Sequence, residues 1–320
     1  MSDTNLQSFT KKILIDKCKE LGITGYSNKN KNEIIQLINN HNQNDIDEIE
    51  EKLSSISINT HLSPLIKWSG GKTDEINNIL PYIPTNYETY IEPFIGGGAL
   101  FWYLCPNKAV INDIHPELIK FYNVIKNGQS QNIYDFMNEN KNDEETYYNV
   151  RDYLNPNNDL EIASQFYYLR KTCFRGMLRY NSNGKFNIPF GKYKSINYSD
   201  LLNNNYYDIL QNTEIYNLSY NDIFDKYNDP NNFVFLDPPY DSKFTDYGYC
   251  SFDRNEQIKL AERFKNTRNK CLMIIGKTDF ITELYKDYIK GEYEKRYKFK
   301  IHSGRVGNEI NTTHLVIANY

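Results

Sequence analysis

A carboxylate, two prolines and an aromatic, Asp237-Pro238-Pro239-Tyr240, follow directly on the compact apolar run Phe233-Val234-Phe235-Leu236. Such a run reads as a buried parallel strand, and open α/β sheets place their chemistry at the carboxyl ends of strands. The prolines fix φ and remove two backbone donors, so nearby carbonyls can face a ligand. The arrangement suits a planar amine: the Asp237 carboxylate accepts one N–H, the Pro238 carbonyl accepts the other, and Tyr240 stacks on the ring. Four residues alone fit equally a strand that ends in a proline-rich turn, so the rest of the chain has to decide.

A second constellation lies upstream. Glu88-Thr89-Tyr90-Ile91-Glu92-Pro93 reads as a strand, Phe94-Ile95-Gly96-Gly97-Gly98 as a glycine turn, and Ala99 to Leu104 as the start of a helix. Glycines let backbone approach a ligand closely, and a helix N-terminus favours polar or anionic groups. The spacing is not the dinucleotide fingerprint G-x-G-x-x-G. The next strand, Lys108 to Asp113, ends in a carboxylate where one would grip ribose hydroxyls. A glycine run alone is a loop; paired with Asp113 it points to a nucleotide-like cofactor. Lys67-Trp68-Ser69-Gly70-Gly71-Lys72-Thr73 is no phosphate loop, because Ile66 stands where the first glycine would be. Gly276-Lys277-Thr278 fails likewise at Cys271. Trp68 facing a cation and Lys72 facing a carboxylate suit a small zwitterion. S-adenosylmethionine carries a sulfonium and a carboxylate.

A third feature is charge. The net charge is only -4, with 39% hydrophobic and 24% charged residues, as in ordinary globular proteins. Yet Arg170, Lys171, Arg175, Arg179, Lys185, Lys192 and Lys194 crowd one segment without an acidic residue among them. Phe174, Tyr180, Phe186, Phe190 and Tyr193 alternate with them, and Asn181, Asn183 and Asn187 are interleaved. Lys and Arg suit phosphates, Arg and Asn suit base edges, so DNA contact is favoured over a solvated face. Arg175, Arg179, Asn181, Lys185, Asn187 and Lys192 are the expected contacts. The five cysteines are scattered without a C-x-x-C pair, which argues for reduced thiols and against a metal site. No apolar stretch approaches membrane-spanning length, and the N-terminus lacks an apolar leader.

The elements that position these residues alternate. Strand-like runs recur near Thr213-Glu214-Ile215-Tyr216, Phe233 to Leu236, Cys271 to Ile275 and His314 to Ala318, with helical stretches between them. That order implies a mostly parallel α/β sheet. Ahead of it, Thr10 can cap a helix carrying Ile13, Leu14, Cys18 and Leu21 and stopped at Gly22; a second amphipathic helix carries Ile34, Ile35, Leu37 and Ile38. This pair resembles a SAP module, which docks on duplex DNA elsewhere, and fits a protein-docking or structural hairpin as well. A polar, acidic stretch from Asn42 to Ser57 reads as linker. The expected organisation is a SAP-like module at 1–41, an acidic linker at 42–62, a catalytic domain at 63–132 and 205–320, and an insert at 133–204.

Residues 64–72, the Glu92-Pro93-Phe94 run with its glycines, Asp113 and the Asp237 tetrapeptide stand in the order seen in the DNA adenine methyltransferase (Dam) family, which the chain resembles from Pro64 to Tyr320. Arg179-Tyr180-Asn181, Gly184 and residues 186–193 resemble its recognition insert, and residues 313–320 its closing strand. Phe174-Arg175-Gly176 departs from the pattern, where a polar amide is expected. The resemblance implies a class I S-adenosylmethionine-dependent methyltransferase fold, Rossmann-like and seven-stranded, with a helical target-recognition insert. It implies transfer of a methyl group to the N6 amine of adenine in double-stranded DNA, with a flipped-out base. Trp68, Lys72, Glu92, Pro93, Phe94, Gly96, Gly98, Asp113 and Asp237 would then contact the cofactor, and Asp237 to Tyr240 would be catalytic. The physics agrees. The N6 lone pair is delocalised into the ring, and two acceptors on its hydrogens localise it and aim it at the methyl group. A cytosine-carbon enzyme would need a cysteine nucleophile in a Pro-Cys setting, and none is present. Alternatives are an RNA or protein-amide N-methyltransferase and a catalytically silent DNA-binding homologue. GATC is the family's commonest target. The expected assembly is a monomer or weak dimer in a bacterial cytoplasm or that of a virus-infected cell, with a companion restriction endonuclease left open.

Overall fold

Successive residues of the inner strands point to opposite faces of a sheet that is covered on both sides. The computed structural model describes residues 11–27, 29–38, 61–241, 252–297 and 310–320. Its strands are β1 (Thr89–Glu92), β2 (Ala109–Asn112), β3 (Thr213–Tyr216), β4 (Asn232–Leu236), β5 (Lys270–Gly276), β6 (Ile289–Tyr297) and β7 (Ile310–Ala318). They form one seven-stranded sheet in the order β3-β2-β1-β4-β5-β7-β6. The first five run parallel, and β7 lies antiparallel between β5 and β6. This is the expected mixed, mostly parallel α/β sheet. Tyr90, Phe233, Phe235, Leu272 and Ile274 enter one core, while Ile91, Val234, Leu236, Met273 and Ile275 enter the other. Each such side chain contributes roughly 1.5–3 kcal/mol on burial.

Among the described residues, the α-helices of six residues or more are α1 (Lys11–Glu20), α2 (residues 31–38), α3 (Ala99–Leu104), α4 (Pro116–Lys126), α5 (Ser130–Glu139), α6 (Glu144–Asp152), α7 (Asp159–Thr172), α8 (Asn204–Gln211), α9 (Tyr220–Lys226), α10 (Arg254–Asn266) and α11 (Asp279–Tyr285). Strand β6 was not expected from the sequence. Its residues IKGEYEKRY carry charges at alternate positions and a glycine, which suits a sheet edge and weakens any apolar period.

The segment expected as a recognition insert is helical through α5, α6 and α7, and it does not have a core of its own. Tyr147, Tyr167 and Leu169 join the same cluster as Phe121, Tyr122 and the strand residue Tyr90. Tyr167 stacks on Phe121 of α4 at 5.3 Å and 8°. Beyond α7 the basic segment folds back on itself as a hairpin. Cys173 pairs with Phe190 and Tyr180 with Phe186 in antiparallel bridges. Asn181 donates to the Lys185 carbonyl at 2.9 Å across the tip.

The chain divides into compact units at residues 1–60 and 61–320. In the first, Leu14, Cys18, Ile34, Ile35 and Ile38 are buried together, as their helical spacing predicts. Ile13, expected on that face, is instead 49% exposed. Thr10, the stretch from Asn42 to Ser57 and Cys250 lie outside the described residues. Among the described residues, no helix is long and apolar enough to cross a membrane.

Candidate active site

Neighbouring parallel strands β2, β1 and β4 end at one edge of the sheet, and each delivers a carboxylate or its turn there. Chain order reverses between β1 and β4, the switch point at which open sheets hold ligands. A cavity of about 550 Å³ occupies this edge. All the expected cofactor and catalytic residues line it: Trp68, Lys72, Glu92, Pro93, Phe94, Gly96, Gly98, Asp113 and Asp237 to Tyr240.

The glycine turn has a steric reason. Gly96 and Gly98 have φ of +46° and +70°, the left-handed region that side chains disfavour. A Cβ on Gly96 would lie 2.6 Å from Cδ1 of Trp68. The tryptophan therefore packs against the turn itself. Trp68, expected to face a cofactor cation, also has a cation of the chain beside it: the guanidinium carbon of Arg170 lies 5.3 Å from the ring centroid. Arg170 is fully buried, donating to the Met177 carbonyl at 2.6 Å and to that of Lys67. It thus backs Trp68 from within the fold and is not part of an exposed basic patch, although its sequence neighbours suggested that.

Asp113 is 8% exposed, and its two oxygens accept from the Gly96 and His115 amides at 3.0 Å each. Burial, only partly offset by those amides, raises its pKa to about 6. Glu92 is buried and accepts from the Tyr90 hydroxyl at 2.7 Å; burial pushes its carboxyl well above the usual range. Asn112 ties the turns together, donating to the Pro93 and Leu218 carbonyls and accepting from the Leu218 amide.

Lys72, expected to face a cofactor carboxylate, is bound to one from the chain. Its Nζ lies 2.6 and 2.7 Å from the two oxygens of Asp237 and donates to the Gly70 carbonyl at 2.7 Å. Lys72 is 2% exposed and the Asp237 side chain 21%. Burial raises the Asp237 pKa and the lysine charge holds it back, with a net rise. The tetrapeptide is fixed from α10, where buried Gln257 donates to the Pro239 carbonyl at 2.6 Å.

Gln257, the burial of Arg170 and the pairing of Phe94 with Tyr220 and Phe252, at ring separations of 5.3 and 5.8 Å, were not evident from the sequence. Gln257, Tyr220 and Phe252 lie far from any motif, and helical or apolar patterning explains each of them equally well. The expected DNA contacts gather on the hairpin. Arg175, Arg179, Asn181, Lys185 and Lys192 are exposed there; Asn187 is half-buried, its side-chain oxygen accepting from Arg179 Nε at 2.8 Å. Tyr180 links hairpin to site, its hydroxyl 2.7 Å from His115 Nε2. Burial and the Arg170 charge lower the His115 pKa to about 3, so the ring is neutral.

Residues 68–303, which include the hairpin and all the lining of the cavity but Thr312, match the model of the D12 class N6 adenine-specific DNA methyltransferases. The chain belongs to that family. It is 59% identical over 262 residues to the type II methyltransferase M.CviBI of Paramecium bursaria Chlorella virus NC1A, covering 81% of this chain and 100% of that one. It is 35% identical over 268 residues to the type II methyltransferase M.MjaIII of Methanocaldococcus jannaschii, covering 73% and 92%. It is 32% identical over 206 residues to the DNA adenine methylase of Escherichia coli K12, covering 62% and 73%. The chain is an adenine-specific DNA methyltransferase, acting on the N6 amine. Such methyltransferases use S-adenosylmethionine as methyl donor, and DNA is the substrate.

Proposed function

We propose that Asp237, with the Pro238 carbonyl, accepts the two N6 hydrogens of the target adenine, and that Tyr240 stacks on the base once it has left the duplex. The observation that carries this reading is the Lys72–Asp237 pair in the lining of the cavity. A carboxyl buried among other acids would take up a proton and become a donor; the lysine keeps it an acceptor. Held by two acceptors, the amine lone pair is localised and directed.

The residues present fit S-adenosylmethionine. The glycine turn leaves backbone open to a ligand, Asp113 keeps lone pairs for ribose hydroxyls, and the Phe94, Tyr220 and Phe252 rings form an apolar wall suited to an adenine ring. Glu92 and Trp68 complete the lining. When bound, the cofactor supplies an electrophilic methyl group on a sulfonium. The hairpin reads the site in duplex DNA: Arg179, Asn181 and Asn187 suit base edges, and Arg175, Lys185 and Lys192 suit phosphates. GATC is the first sequence to test, by methylation-sensitive sequencing of DNA from cells expressing the chain.

The direct test is Asp237→Ala. Losing an oriented electrostatic contact costs on the order of a hundred-fold or more in rate. Tritiated-methyl transfer to DNA at saturating S-adenosylmethionine should collapse; transfer near the wild-type rate removes Asp237 from the chemistry.

A further inference from the structure

Behind Tyr240 lies a buried polar cluster that none of these roles uses. Glu75, in the helical turn Thr73–Glu75, is 2% exposed. Its Oε2 accepts from the Tyr293 hydroxyl at 2.7 Å and lies 2.6 Å from His314 Nδ1, and its Oε1 lies 3.2 Å from Lys295 Nζ. The partners come from β6 and β7, so the cluster ties the loop that carries Lys72 to the antiparallel edge of the sheet. Burial alone would raise the Glu75 pKa, but the His314 and Tyr293 bonds and the Lys72 charge hold it at about 2. An ionised carboxylate has no proton to give, so Nδ1 of His314 carries it.

The cluster ends on the catalytic tetrapeptide. The fully buried His314 ring meets the Tyr240 ring at 5.3 Å and 88°. Tyr293 supports His314 in turn, at 5.6 Å and 67°. Gly276 of β5 closes on Tyr240 as well: a Cβ there would lie 3.0 Å from Tyr240 Cδ2. Lys72 Nζ is 5.2 Å from the Tyr240 centroid while bound to Asp237. A buried carboxylate and histidine are costly to maintain relative to apolar residues of the same volume. Their placement against the one ring that would receive the base gives them a use.

We infer that Glu75 and His314 are positioning residues that set the angle of Tyr240 against the target adenine. The inference rests on the proposed catalytic role of residues 237–240. Edge-to-face pairing constrains a ring at small energetic cost, and a misplacement of about 1 Å can cost on the order of a hundred-fold in rate.

A double-mutant cycle tests it. Single-turnover methyl transfer to unmethylated genomic DNA, at saturating cofactor and DNA, is measured for wild type, His314→Asn, Tyr240→Ala and the double variant. His314→Asn is expected to slow transfer about tenfold or more, with S-adenosylmethionine affinity by calorimetry unchanged within about twofold. The double variant should be no slower than Tyr240→Ala, because the histidine acts only through that ring. Additive losses overturn the inference; so does a folded His314→Asn protein with the wild-type rate, or a loss that appears equally in cofactor affinity. If His314→Asn does not fold, Tyr293→Phe, which removes one donor from Glu75, carries the test: a severalfold loss of rate supports the inference and the wild-type rate overturns it. If Tyr240→Ala falls below detection, Gly276→Ala, which crowds the same ring, replaces it in the cycle. Asp237→Ala run alongside separates the two readings. Its inactivity with undiminished His314→Asn rates rejects only the positioning pair, whereas an active Asp237→Ala protein rejects the catalytic assignment itself.

Discussion

Lys72 and Asp237, 165 positions apart in the chain, form a charge pair in which one ammonium lies within 2.7 Å of both carboxylate oxygens. The lysine has a third partner in the Gly70 carbonyl and is otherwise sealed from solvent. The lysine charge therefore opposes the rise that burial imposes on the Asp237 carboxyl.

Replacing Lys72 by Met should leave the fold but remove the charge that opposes burial at Asp237. The Asp237 pKa, already raised, rises further, so the acid limb of the rate–pH profile moves to higher pH. Transfer at neutral pH should fall on the order of a hundred-fold and recover in part at alkaline pH. A profile that only drops, without shifting, would mean that the lysine does not control the ionisation of Asp237.

Cofactor affinity should weaken as pH falls through about 6, where Asp113 takes up a proton. Only the ionised carboxylate accepts from two hydroxyls while also holding the Gly96 and His115 amides. Because its folded pKa is raised above 3.8, the folded state binds that proton more tightly than the unfolded one between the two values. Asp113 thus lowers stability as pH rises through that window, a cost of function. Asp113→Asn should weaken binding by roughly 1–3 kcal/mol and flatten the dependence. Calorimetry giving the same affinity in the wild type at pH 5 and pH 8 contradicts the assignment.

Gly96→Ala should damage the site more than Gly70→Ala. Both glycines have positive φ, so both substitutions strain the backbone by about 1 kcal/mol or more. A Cβ at Gly70 meets nothing within 4 Å, whereas at Gly96 it collides with Trp68 at 2.6 Å. Tryptophan fluorescence and cofactor affinity should change for the first and stay near wild type for the second. Equal effects would show that Trp68 yields freely.

Arg179→Ala should lower the ratio of cognate to non-cognate methylation, since a good bidentate base contact discriminates by about 1–3 kcal/mol. The loss of its bond to Asn187 frees that side chain as well. Deleting residues 1–57 removes all but three residues of the N-terminal unit and none of the cavity. That truncation should leave site choice unchanged and at most raise KM for long DNA, more so at higher salt. A truncated enzyme that methylates a new sequence would make the N-terminal unit a base reader.

The sequence by itself determined the reaction and most of the fold. Inner strands buried on both faces must be continuously apolar, so Phe233 to Leu236 announced a parallel strand, and the motifs at its end and at the ends of β1 and β2 retained their order. Those signals are local, lying within one strand and its turn. What depended on long-range packing was not legible. Strand β6 is an edge with alternate charges and carries no apolar period. Arg170 lies in a basic run yet is buried beneath Trp68, because the Met177 and Lys67 carbonyls meet it only in the folded chain. Lys72 suited a ligand carboxylate and found one on Asp237. His314 gave no signal inside its strand, since the carboxylate that fixes its proton comes from Glu75, 239 positions away. Residue types set which charges and rings were available; the tertiary structure decided which of them face each other.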